Sequence, residues 1–293
     1  MVPSRTPEVL ATPDRQAVQE FLSRIHPVGC ARLSSLPPVG DSTSEAAAAR
    51  DSAIVGYAHI EAGDDGYIVD CVAADPATRE LLVTTLVAGI PATAAVTWWG
   101  HDQPSDAALA VSLQMNSPYR RLLNMRRPLP LEPALATSAA HDVSVRPFVV
   151  GSDDLEWLRV NNAAFSWHEE QSDWDLATLR SRINEPWFDP AGFLLHERDG
   201  RLAAFCWTKV HETEGASRVG EIYVIAVHPD FHGLGLGRAL TIAGLRHLGD
   251  TGSTTAMLYV EADNTAAVRL YESLGFQTAH TDVAYHRPKP GAV

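Results

Sequence analysis

Two stretches of this chain, one on each side of a proline-rich joint, carry the same order of segments. That order limits the possible fold more than any other feature. The joint is MRRPLPLEPALATSAAHDVSVRPF, residues 125–148, where prolines at 128, 130 and 133 favour extended backbone and stop helices. Before it run AIVGYAHIEAG, GYIVDCVAADP, ATRELLVTTLVAGI, AAVTWWGHD and PSDAALAVSLQM, read as strand, strand, helix, strand and helix. After it run RLAAFCWTKVH, GEIYVIAVHPD, GRALTIAGLRHL, TAMLYVEAD and NTAAVRLYESLGF, which read the same way. The second strand of each set ends on a residue followed by proline, Asp75-Pro76 and His228-Pro229. An internal duplication explains the match, and its period is too long for a solenoid. Two related α/β domains are expected, over residues 1–138 and 139–293.

The chain's 293 residues suffice for two cores, and 45% hydrophobic with 20% charged residues is ordinary for a globular protein. A net charge of -13, from 23 basic and 36 acidic residues, argues against nucleic acid as a partner, since phosphate binding needs a basic stripe. Cys30, Cys71 and Cys206 are odd in number and lack metal-ligand spacing, so they read as reduced thiols, with no metal. No apolar run approaches a membrane span, and the N-terminus lacks a signal-peptide core. A soluble, cytoplasmic monomer with no membrane partner is the expectation.

The segment FHGLGLGRAL, between the second strand and the helix of the later half, holds three alternating glycines. A P-loop would end in Gly-Lys-Ser/Thr, but Gly237 is followed by Arg238 and Ala239. A dinucleotide turn would space its glycines G-x-G-x-x-G. Alternating glycines instead allow successive backbone N–H groups to point at one anion, at the positive end of the following helix. Arg238 adds a full charge, and Leu234 and Leu236 are expected to pack. A plain tight turn would need one glycine, so the loop reads as a pyrophosphate site.

These residues resemble a family. VIAVHPDFHGLGLGRAL is similar to the acetyl-CoA signature of the GNAT acetyltransferases, Q/R-x-x-G-x-G/A, with His232 replacing the usual Gln or Arg. NTAAVRLYESLGF is similar to the second half of that signature. The resemblance covers residues 142–287, and the tandem arrangement extends it over the chain. It implies, for each domain, a mixed and mainly antiparallel sheet flanked by helices, with acetyl-CoA as cosubstrate. It implies a bulge in the strand before the loop, freeing a backbone amide near Ile225, Ala226 and Val227 for the thioester carbonyl. It further implies that His232, Gly233, Leu234, Gly235, Leu236, Gly237 and Arg238 contact acetyl-CoA, together with Asn264, Thr265, Ala266, Ala267, Val268 and Arg269. The earlier copy departs from the pattern, having no glycine between Pro76 and Gly89. It reads as a degenerate, non-catalytic copy, in which Arg79 and Glu80 are the nearest thing to an anion loop.

Amine acetylation needs a deprotonated amine, a polarised thioester and a proton for the departing thiolate. Strand alternation puts Glu221, Tyr223 and Ile225 on one face, with Ile222 and Val224 on the other. Glu221 is then either the base for the ammonium or a solvated strand-end carboxylate. Tyr271 lies two turns along the helix opened by Asn264; the resemblance implies that it protonates the thiolate, whereas an aromatic packing role is the bland alternative. Asn264 also reads as an N-cap.

The acceptor is narrowed by NNAAFSWHEEQSDWD, residues 161–175, with Trp167, His168, Glu169 and Glu170, and by Lys209 in an apolar strand. Acidic and basic groups lining one cleft suit a polyhydroxylated amine, unless the glutamates are merely solvated and the lysine snorkels. The order of the motifs resembles a tandem subgroup that acetylates the cysteinyl amine of a pseudodisaccharide, cysteinyl-glucosaminyl-inositol. That resemblance implies acceptor contacts from Glu45, Glu170, Lys209, Glu221 and Tyr259. The rival expectations are another small amine of aminoglycoside type, a protein N-terminus, or a non-catalytic acetyl-CoA sensor.

Overall fold

The computed structural model describes residues 7–11, 13–25, 44–63, 66–136, 143–167, 172–211 and 218–291. The chain folds into two units, and each draws on more than one stretch of sequence. The first comprises Met1–Asn124, Val260–Val268 and Thr278–Val293; the second comprises Met125–Tyr259 and Arg269–Gln277.

In the first unit come β1 (Glu8–Leu10), α1 (Arg15–Ile25), β2 (Ser44–Arg50), β3 (Ala53–Gly63), β4 (Gly66–Ala73), α2 (Pro76–Ala88), β5 (Val96–His101) and α3 (Pro104–Ser112). Strand β6 (Arg120–Pro128) begins there and ends in the second unit. The sheet runs β1-β2-β3-β4-β5 and is closed by β12 (Gln277–Arg287), the last strand of the chain, paired antiparallel with β5. Strands β4 and β5 run parallel, whereas β1-β2, β2-β3 and β3-β4 are antiparallel. Successive residues of a strand serve opposite faces. Trp98 therefore joins Leu82, Val83 and Leu86 of α2, while Trp99 joins Val18, Phe21 and Leu22 of α1. The spacing of those three α1 residues is one helical stripe.

The second unit holds α4 (Pro133–Ala136), β7 (Arg146–Pro147), α5 (Asp154–Ala164), α6 (Leu176–Ile183), β8 (Phe193–Arg198), β9 (Arg201–His211), β10 (Val219–Val227), α7 (Leu236–Asp250), β11 (Thr255–Glu261) and most of α8 (Thr265–Ser273). The strand order is β11-β10-β9-β8-β7, with β10 and β11 parallel and the other pairs antiparallel. Trp157 of α5 sits at the centre of one face, 5.2 Å from Phe205 and 5.9 Å from Trp207 between ring centroids. Truncating so large a buried side chain to alanine costs about 3–5 kcal/mol. On the other face α7 lies very close. A Cβ on Gly244 would sit 2.6 Å from Cys206 Sγ and 2.8 Å from Ile222 Cδ1, so a larger residue there would force those side chains to shift.

Each unit is a mixed, mainly antiparallel sheet flanked by helices, and β3 and β9 have the expected bounds. The units do not follow a cut at 138/139. Val283, Ala284 and Tyr285 of β12 are buried in the first unit's two cores, which draws the end of the chain into that unit. Nor is the proline-rich joint wholly a linker, since residues 125–128 finish β6 and Pro133–Ala136 forms a helical turn. Among the described residues no helix is long and apolar enough to cross a membrane.

Candidate active site

Strand β10 leaves the sheet at Val227 and enters a single 3-10 turn, Pro229–Phe231, before the glycine loop. Gly233 and Gly235 have φ of 78° and 75°, the left-handed region that favours glycine. Gly235 is the N-cap of α7 and offers no side chain to cap it. The first-turn N–H groups of a helix have no intrahelical partners and carry the positive end of its dipole, so an uncapped start is an anion cradle. A groove of about 270 Å³ opens there, lined by Val227, Phe231, His232, Gly233, Gly235, Leu236, Gly237, Arg238 and Leu270. Arg238 donates to Ser273 Oγ at 2.7 Å, and the His232 ring lies 3.0 Å from the Val227 carbonyl oxygen. Leu236 is buried, but Leu234 is 48% exposed and does not pack as expected. Flanked by two left-handed glycines, its side chain turns outward. A Cβ at Gly233 or Gly235 would meet nothing within 4 Å, so it is backbone conformation, not crowding, that calls for these glycines.

Upstream, the pairing of β10 with β9 shifts register between Ile222 and Val224, making Tyr223 the extra residue of a bulge. The bulge corrects the expected alternation. Val224 and Ala226 join Tyr223 on the aromatic face, whereas Ile225 pairs with Cys206, whose sulfur lies against α7. The parallel pairing with β11 stops at Ile222 and Leu258.

Glu221 lies just before the bulge, buried and directly opposite Lys209 in the register. Its Oε2 is 2.7 Å from His211 Nε2. Lys209 does not snorkel to solvent. It is buried, with Nζ 4.7 Å above the Trp187 ring and 5.8 Å from that of Tyr223. Burial pulls the Lys209 ammonium below its ordinary pKa, against the opposing pull of Glu221 and Glu185. Burial likewise pushes the Tyr223 phenol up to about 12. The sequence pattern did not single out His211 or Trp187. His211 stands two residues beyond Lys209, on the same strand face, so period-two counting from Lys209 points to it. Trp187 lies in an irregular segment with no such signal.

Tyr271 is buried, edge-on to Phe276 at 5.8 Å. Burial, reinforced by the nearby Cys206 thiol, holds its phenol well above the usual tyrosine pKa. Asn264 Oδ1 accepts from the Ala267 N–H at 3.2 Å, so it does cap α8. Thr265, Ala266, Ala267 and Val268 follow it in the first unit's share of α8; Arg269 is exposed and begins the second unit's share. Tyr259 is half-buried on β11, one residue past the last pairing with β10. Glu45, on β2 of the first unit, accepts from Tyr57 Oη at 2.7 Å and Arg15 Nη1 at 2.9 Å. Arg79 is no anion loop; it is buried and paired with Asp106 at 3.2 Å. Glu170 lies outside the described residues, as do His168 and Glu169.

A profile described as the Acetyltransferase (GNAT) family matches residues 157–276. The mycothiol acetyltransferase of Thermomonospora curvata is 44% identical over 246 residues, spanning 82% of this chain and 81% of that protein. The mycothiol acetyltransferase of Salinispora arenicola is 45% identical over 249 residues, spanning 82% and 80%. Among solved structures, a GCN5-related N-acetyltransferase from Sphaerobacter thermophilus superposes with a TM-score of 0.69 at 20% identity, covering 98% of this chain and 97% of that one. A tandem GNAT protein from the clavulanic acid biosynthesis pathway gives 0.66 at 14% identity, covering 98% and 100%.

Proposed function

The chain belongs to the mycothiol acetyltransferases, within the GNAT acetyltransferase family, and from that premise we propose that its second unit transfers acetyl from acetyl-CoA to the cysteinyl amine of cysteinyl-glucosaminyl-inositol. The observation that carries the reading is the uncapped, glycine-bounded start of α7 at the end of a bulged strand that bears a buried carboxylate. The groove fits a pyrophosphate, because its floor is the uncapped helix start and Arg238 stands on the first turn. When bound there, acetyl-CoA supplies an acetyl group as a thioester.

The chain's own residues do the rest. Backbone amides of Gly233, Gly235, Leu236 and Gly237, with Arg238, hold the anion. An amide among Ile225, Ala226 and Val227, beyond the bulge, faces the thioester carbonyl and stabilises charge developing on its oxygen. Glu221 takes the ammonium proton, leaving the electron pair on nitrogen for attack. Tyr271 keeps its proton throughout the neutral range and can release it to a thiolate that is itself desolvated. Lys209, Tyr259 and Glu170 meet the acceptor. A buried cation held on aromatic rings beside a buried carboxylate suits an acceptor rich in hydroxyls and bearing one amine.

The test is mass spectrometry of the purified protein given acetyl-CoA and a panel of amines. Acetylation on the nitrogen of the cysteinyl pseudodisaccharide is expected, in preference to aminoglycosides and peptide N-termini. Faster acetylation of either of those, or none of any amine, refutes the assignment. Detecting free thiol alone would mislead, since the acceptor already carries one.

A further inference from the structure

The base proposed above is not a lone carboxylate. On β9, Lys209 and His211 share a face, and on β10 the register sets Glu221 opposite Lys209 and Val219 opposite His211. Glu221 therefore has two nitrogen donors within reach of its strand position, and it is bonded to the diagonal one. The His211 Nε2 to Glu221 Oε2 distance is 2.7 Å, with side chains only 7% and 10% exposed. An ionised carboxylate has no proton to give, so the imidazole must carry the hydrogen on Nε2. A charge-assisted bond of this length in a dry setting fixes the carboxylate plane.

The choice of donor matters to a base. A permanent cation bonded to Glu221 would favour its ionised form and weaken it as a proton acceptor. Lys209, the obvious candidate, instead has its ammonium on the Trp187 ring. An imidazole N–H can orient a carboxylate without placing a fixed charge on it.

We propose that His211 is the positioning residue of the reaction: it holds the Glu221 carboxylate in the orientation in which it receives the proton of the acceptor ammonium. The ammonium N–H bond breaks, the proton moves to the Glu221 carboxylate, and the electron pair remains on nitrogen. This rests on the reading of Glu221 as the base.

The test uses the full chain with His211→Leu and His211→Gln, the second of which keeps an N–H donor at nearly the same place. His211→Leu should lower kcat by about 10–100-fold, the scale expected when a reacting group is misplaced by an ångström or less. KM for acetyl-CoA should move little, the melting temperature should fall in His211→Leu because Glu221 stays buried without its donor, and His211→Gln should recover most of the lost turnover per folded molecule. In the free enzyme, histidine-labelled NMR should show a downfield, exchange-protected imidazole N–H that is absent from both variants. Wild-type kcat in a folded His211→Leu overturns the proposal. So does a His211→Gln as impaired as His211→Leu, which would mean that the ring only fills space. Full turnover by Glu221→Gln would instead defeat the base itself, so the two failures are told apart.

Discussion

The strands leading into α2 and α7 are each followed within two residues by an X-Pro step, Asp75-Pro76 and His228-Pro229, and there the two units part. In the first unit Pro76 is already the first residue of the helix, and Asp75 caps it. Its carboxylate accepts from the Thr78 N–H at 2.8 Å and the Thr78 hydroxyl at 2.9 Å, and pairs with Arg50 at 3.1 Å. In the second unit a 3-10 turn and two left-handed glycines are inserted, and α7 starts with no side chain on its N–H groups. One helix start is neutralised by its own chain; the other has no side-chain cap. The preceding strands differ in the same sense. β4 keeps unbroken register with β3 from Gly63 and Gly66 to Gly56 and Ala73, whereas β10 is bulged against β9. The same scaffold thus appears once sealed and once opened, and only a few backbone residues separate the two states.

The largest effect expected from testing this contrast is structural. Arg79→Met strands Asp106, which is 2% exposed, without its cation, and loss of one partner of a buried pair costs about 3–5 kcal/mol. Chemical denaturation should show that loss, at the lower end because Asp106 also accepts from the His101 N–H at 2.8 Å. Turnover per folded molecule should not change. A folded Arg79→Met without activity would give the first unit a direct part in the chemistry.

In the second unit the consequences reverse. Glu221→Gln should lower kcat by about 10²-fold, about 2.7 kcal/mol of barrier, while calorimetry finds acetyl-CoA binding unaltered. Activity should partly return at high pH, where the amine loses its proton unaided. Full activity at neutral pH would remove Glu221 from the mechanism.

Gly235→Val places a β-branched residue at φ 75°, a conformation it avoids, and sets a side chain where an anion must approach. Acetyl-CoA affinity should fall about tenfold or more. Unchanged affinity in a folded variant would end the loop assignment. The smallest effect belongs to Asp75→Ala, which should lose about 1 kcal/mol of stability for the missing cap. Binding of acetyl-CoA should stay as it was. A rise in binding stoichiometry would show that the capping carboxylate alone seals the first unit.

Much of this was legible from periodicity. Alternating and β-branched runs located β3, β4, β9 and β10, and Asp75-Pro76 and the glycine loop marked where α2 and α7 begin. SEAAAAR was not read as a strand, because alanine favours helix when it is alone. Packing overrides that preference: Ala46 and Ala48 serve the core under α2, and Ala47 the core under α1. The bulge hid Ile225, since one inserted residue exchanges the faces of everything after it. His211 was missed for another reason. A polar residue at a strand end looks solvated until its cross-strand neighbour is known. Periodicity tells which way a side chain points but not what stands opposite.

Strand β12 has a consequence for how the molecule comes to exist. A ribosome makes the first unit's helices and inner strands early, but the strand that covers β5 emerges only after all the strands of the second unit. His101 meets its partner Asp282 only after 181 further residues have been added. Until then β5 presents an unpaired edge, the kind of surface on which chains aggregate. A fragment ending at residue 138 keeps that edge for good, and one beginning at 139 carries Val283, Ala284 and Tyr285 with no core to enter. Neither half can be borrowed by cutting at the proline-rich joint. An engineered exchange of units would have to move the final strand with the first unit, against the order in which the gene spells them.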